Sequence, residues 1–131
     1  MNDPDAIREL LASYALALDA DDIDDCVRLF TEDAEFEVYG KIFDGHEGIR
    51  TMFRAAPNGL HLIGASRIDV LQDTASVRSQ MLFVDAGTRH SRSALYDDDL
   101  VRRQDQWLFR RRRCRFITSG GLSARPEVSQ P

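Results

Sequence analysis

The dominant hydrophobic period of this chain changes at Pro57–Asn58–Gly59, and that change restricts its possible folds more than any other feature. Before the break, apolar residues recur at intervals of three and four. After it they alternate with polar ones, as in strands with one buried face. Four long alternating runs follow, at about residues 60–71, 74–86, 90–103 and 106–118. The hairpin turns expected between them are Gln72–Asp73, Ala86–Gly87–Thr88 and Arg103–Gln104–Asp105–Gln106.

The first half reads as three helices and one short strand. Asp3 and Pro4 have the character of an N-cap and a first-turn proline. Ile7, Leu10, Leu11, Tyr14 and Leu18 then form one apolar stripe that ends at Asp19. Asp21 or Asp22 caps a second helix carrying Ile23, Cys26, Val27 and Phe30, and the carboxylates of DADDIDD suit its first turn. Glu35–Tyr39 alternates as a strand, and Gly45 begins a third helix, GHEGIRTMF. Helices followed by an antiparallel meander define an α+β fold. The expected form is a cone-shaped α+β barrel, with three N-terminal helices packed in a strongly curved, mostly antiparallel sheet. Such a cone leaves an apolar pocket for a small molecule. The domain is expected over residues 1–119, with an aperiodic Gly-, Ser- and Pro-containing tail over 120–131.

Composition removes several classes of function. A chain of 131 residues with 43% hydrophobic and 30% charged residues suits one globular domain. Its net charge of −5 argues against nucleic acid as a partner. The apolar runs are too short for a membrane span. The N-terminal MNDPDAIREL has no basic region leading into an apolar one, and Cys26 and Cys114 form no disulfide framework, so the expected compartment is the cytoplasm. There is no HExxH and no paired-cysteine spacing. The acidic run lacks the glycine and terminal glutamate of a calcium loop, and no glycine-rich phosphate loop occurs. No metal and no cofactor are expected.

From Tyr14 to Gly40 (YALALDADDIDDCVRLFTEDAEFEVYG), from Phe43 to Arg50 (FDGHEGIR) and at Trp107, the chain resembles the SnoaL-like branch of the nuclear transport factor 2-like superfamily, over roughly residues 5–118. Its functional pattern is most similar to the scytalone dehydratase, hexachlorocyclohexane dehydrochlorinase and bile-acid 7α-dehydratase type. The resemblance implies that Asp19, ending the first helix, pairs with His61, early on the first long strand, within roughly 2.6–3.2 Å or through one water. It implies further roles for Tyr14 and for Arg112, five residues after Trp107. Ketosteroid isomerase shares the first segment, but its basic aspartate falls where this chain has Val38; Glu37 should face the other way.

Together with strand alternation, the resemblance implies a pocket lined by Phe36, Phe53, Met81, Phe83 and Phe116. The implied activity is a cofactor-independent lyase acting on a small apolar molecule, cyclic ones included. An isomerase or cyclase, or a non-catalytic binding or assembly module, would use the same fold. The residues also have plainer readings: His61 as a hydrogen-bonded core histidine, Tyr14 as core packing, Asp19 as a cap, and the run RRRRCR as a solvated or interface face. On strict alternation Arg110, Arg112 and Cys114 share a face with Leu108 and Phe116, while Trp107, Phe109, Arg111, Arg113 and Arg115 share the other. Apolar residues on both faces point to a homodimer or homotrimer.

Overall fold

Asn2, rather than Asp3, caps the first helix: its side-chain oxygen accepts from the Asp5 N–H at 2.9 Å, leaving Asp3 and Pro4 inside the first turn. In the computed structural model, which describes residues 2–127, helix α1 covers Asp3–Asp19 and helix α2 covers Ile23–Val27. Strands β1 (Phe30–Val38) and β2 (Lys41–Asp44) follow, then helix α3 (Gly45–Ala55). Strands β3 (Gly59–Leu71), β4 (Thr74–Asp85), β5 (Ser91–Arg103), β6 (Gln106–Thr118) and β7 (Gly121–Ser123) complete the elements among the described residues.

The helices pack against a curved, unclosed mixed sheet ordered β2-β1-β6-β5-β4-β3, with β7 added to β6. Every pair is antiparallel except β1 and β6, which run parallel. The α+β class and the helix-in-curved-sheet arrangement therefore stand as expected. Among the described residues, no helix is long and apolar enough to cross a membrane.

Three departures from the sequence reading come from strand pairing, with distant chain at Phe30 and with the adjoining strand at β2 and β7. Phe30 belongs to β1 and not to the second helix. The chain extends after Val27 because the Phe109 N–H donates to Leu29 O at 2.9 Å and Phe30 pairs opposite Phe109. Strand β2 exists because Tyr39 and Gly40 both take positive φ (56° and 72°), the two-residue turn that folds Lys41 back onto Val38. Strand β7 lies in the segment read as tail, and its Leu122 pairs with Ile117.

The face assignment on β6 is corrected as well. Leu100 pairs with Phe109 and Asp99 with Arg111, so Arg110 is an extra, unpaired residue. This β-bulge resets the alternation. Trp107 and Phe109 face inward before it, and Arg112, Cys114 and Phe116 face inward after it. The arginine run then resolves against the aspartates of β5: Asp97, Asp98 and Asp99 pair with Arg113, Arg112 and Arg111. Asp98 and Arg112 are buried, whereas Arg113 turns out to Glu37 and Arg115 to Asp97. Because Trp107, Phe109 and Phe116 all point inward, the outer apolar surface is carried by other residues: Leu60, Leu62, Leu82, Ile117 and Leu122.

Gly59 is required where β3 begins. A Cβ there would lie 2.2 Å from the Val84 carbonyl oxygen and 2.7 Å from the Phe83 ring. This close approach seats Phe83 beside the histidine two residues further along β3.

Candidate active site

Helix α1 ends in an acidic residue, and an acid at a helix C-terminus needs compensation. His61 supplies it. Asp19 Oδ1 accepts from the His61 backbone N–H at 2.8 Å and lies 2.9 Å from His61 Nδ1. The carboxylate partner assigns the proton to Nδ1, which leaves the lone pair on Nε2. Burial lowers the pKa of His61 below its ordinary 6.5; the Asp19 carboxylate opposes that shift and Arg112 adds to it. The ring is therefore neutral at pH 7, the form that accepts a proton.

His61 opens onto a cavity of about 310 Å³ between the helices and the inner face of the sheet. Phe36, Phe53, Met81, Phe83 and Phe116 all line it, as does Tyr14. Tyr14 comes from the buried stripe of α1, and its ring packs edge-on to those of Phe30, Phe53 and Phe109. Val38 also lines the cavity, while Glu37 points outward and pairs with Arg113, as alternation required.

Arg112 does not line the cavity. It lies beneath the floor with a fully buried side chain, bound in a two-point ion pair to Asp98 (Nε to Oδ1 2.7 Å, Nη2 to Oδ2 3.0 Å). Its guanidinium is stacked 3.7 Å from the Tyr96 ring centroid, 4.3 Å from that of Tyr14 and 4.4 Å from that of Phe109. Its Nη1 has no hydrogen-bond partner among the described residues, and those ring faces are what surround the guanidinium.

Tyr96 is the residue the sequence reading missed. Its hydroxyl lies 3.3 Å from that of Tyr14, and both side chains line the cavity. Burial pushes both phenols above their ordinary range, so they stay protonated; one donates to the other, and the donor role can fall to either. The alternation of Ala94, Tyr96, Asp98 and Leu100 along β5 was the available signal for an inward tyrosine. Cys114 also lines the cavity, but burial pushes its thiol up to about 12, which removes it as a nucleophile at neutral pH.

The helices packed in a curved sheet, with a partly open apolar cavity between them, define a fold of the nuclear transport factor 2-like, cystatin-like kind. The SnoaL-like domain family matches residues 1–113, and the chain belongs to it. No protein of curated function matches the sequence significantly. Among solved structures, a candidate aromatic ring hydroxylase from Novosphingobium aromaticivorans is 28% identical with a TM-score of 0.75, covering 90% of this chain and 90% of its own. A candidate scytalone dehydratase from the same organism is 24% identical with a TM-score of 0.75, covering 86% of this chain and 83% of its own. A type 2 hexachlorocyclohexane dehydrochlorinase is 17% identical with a TM-score of 0.76, covering 97% of this chain and 90% of its own. The last two likenesses establish the fold alone.

Proposed function

We propose that this protein is a cofactor-independent lyase of the dehydratase type, acting on a small, mostly apolar substrate. The observation that carries the reading is the His61 ring, held by Asp19 at 2.9 Å and opening on a mostly apolar cavity. In the proposed step, Nε2 takes a proton from a carbon adjacent to one that bears a leaving group. The C–H electron pair becomes the new double bond, and the leaving group departs with the electrons of its own bond. Asp19 holds the ring and stabilises the imidazolium that forms.

The paired hydroxyls of Tyr14 and Tyr96 stabilise negative charge developing on the leaving group or on an enolate oxygen. Arg112 acts from behind them, its positive charge set against both rings. Two solved relatives of this fold bear the names of elimination enzymes, a candidate scytalone dehydratase and a dehydrochlorinase, which supports this class of chemistry as one the scaffold hosts.

A second reading, a non-catalytic ligand-binding module, is favoured by one feature. Asp19 also binds the His61 main chain, as a purely structural link between α1 and β3 would. A screen of purified protein against small cyclic alcohols and halides, with His61→Ala as control, tests between the two. Turnover that the variant lacks supports the lyase; saturable binding without turnover across the screen supports the module.

The assembly reading is a homodimer or homotrimer, supported by the outward Leu60, Leu62, Leu82, Ile117 and Leu122. The two buried, unpaired thiols of Cys26 and Cys114 suit a reducing compartment, and we read it as the cytoplasm.

A further inference from the structure

The cavity has a second polar end, which the elimination step leaves unused. His61 pairs with Phe83 across β3 and β4, and Phe83 pairs with Arg92 across β4 and β5. Directly opposed residues project from the same face of a sheet. His61, Phe83 and Arg92 therefore form one inward row, and all three line the cavity. Two strand spacings separate the Cα atoms of His61 and Arg92 by roughly 10 Å, with the Phe83 ring between them.

Arg92 is the one cationic side chain among the lining residues other than the neutral His61, and Asp21, two residues beyond Asp19, is the one carboxylate. Among the described residues Arg92 makes a single side-chain hydrogen bond, from Nη1 to the Tyr39 hydroxyl at 2.6 Å, and no ion pair. Its remaining N–H donors have no protein acceptor among the described residues. Asp85, which feels its charge, is instead engaged by the backbone N–H groups of Gly87 and Thr88.

Tyr39 makes this contact from the strained turn between β1 and β2. It sits at φ 56°, a left-handed conformation unfavourable for a tyrosine, with its ring 5.2 Å from that of Phe116. The turn thus seats a hydroxyl on Arg92 where both side chains line the cavity.

We infer that Arg92 recognises an anionic oxygen group, of the carboxylate class, on a ring-containing substrate whose reacting carbon lies at His61. The inference rests on the lyase reading only for what happens at the His61 end. An apolar ring over Phe83 fills the gap between the base and the guanidinium, and the carboxylate takes the free donors of Arg92 in a charge-assisted pair. Asp21 lies beside the dyad in the chain, so like-charge repulsion also favours an acid directed away from that end.

Calorimetric titration at pH 7 with 2-naphthoate and its neutral isostere 2-naphthamide tests this without requiring turnover. Wild type is expected to bind the acid at least about tenfold more tightly than the amide, the scale of one hydrogen bond to a charged group. Arg92→Gln should abolish that preference by weakening the acid alone, Arg92→Lys should keep part of it, and His61→Ala should keep it in full. Thermal unfolding of each variant verifies the fold, and Arg92→Lys serves if Arg92→Gln does not fold. Three results would overturn the proposal: no measurable binding of naphthoate to wild type at millimolar concentration, no preference for the acid, or a preference that survives in folded Arg92→Gln. A failed search for elimination activity leaves the binding result standing, so the two readings fail separately.

Discussion

One carboxylate oxygen of Asp19 binds both the main chain and the ring of His61, at 2.8 and 2.9 Å, and so joins the end of α1 to the start of β3. Those two elements are separated by 42 positions between the partners, so the contact belongs to the tertiary fold. It fixes the tautomer and orientation of the imidazole at once, which is the preorganisation a general base requires. The account of function follows from this contact and from the cavity it faces.

The first prediction concerns pH. Burial holds the His61 pKa below 6.5, while Asp19 pulls it up. Protonation removes the base, so kcat/KM should be flat at neutral pH and fall only in an acid limb below pH 6.5. Asp19→Asn removes the group that raises the pKa. Its acid limb should therefore move to still lower pH even as its plateau rate drops. A pH–rate profile of the two proteins checks the direction, and a limb displaced upward by Asp19→Asn would contradict the assignment.

Much of this arrangement was legible from residue order, and the remainder was not for a physical reason. The bounds of β3 to β6 could be read because alternation and turn residues are local properties, and the contact of Asp19 with His61 followed from a family resemblance placed on those elements. The start of β1 at Phe30, the existence of β2 and β7, and the extra residue Arg110 depend on which strand lies alongside. No local period records that. The same holds for the site: Tyr96 and Arg92 share one face of β5 within reach of alternation, whereas the register that aligns Arg92 with His61 spans three strands.

The second prediction concerns the tyrosine pair. Tyr14→Phe and Tyr96→Phe should each lower kcat less than His61→Ala does, because the partner hydroxyl or water still donates. The double variant should lower it by more than the sum of the separate free-energy losses. Steady-state kinetics of the four proteins measures this; strict additivity would mean that the 3.3 Å contact carries no shared function.

The third prediction concerns the buried pair beneath the floor. Arg112→Met leaves Asp98 buried without its partner and should cost about 3–5 kcal/mol of stability. The double replacement Arg112→Met with Asp98→Leu should recover most of that loss, since no charge remains buried. Urea unfolding completes the cycle. A double variant as unstable as the sum of the singles would show that packing around the rings, and not the unpaired carboxylate, dominates.

The fourth prediction concerns assembly. Leu62 and Leu82 are cross-strand partners on the outer face, 50% and 37% exposed in the single chain. Light scattering at micromolar concentration should give a multiple of the 14.9 kDa chain mass, and Leu62→Glu with Leu82→Glu should reduce it to one chain. A wild-type monomer would contradict this.

The central claim is that the contact between Asp19 and His61 is catalytic. Its most direct test is kcat for His61→Ala and Asp19→Asn on a substrate found by the screen, with far-ultraviolet circular dichroism recorded on the same samples. The account predicts a loss of at least ~10²-fold for His61→Ala, nearly as large a loss for Asp19→Asn, and unchanged spectra. Both variants turning over near the wild-type rate, with the fold intact, would contradict it and leave the pair a structural tie in a binding protein.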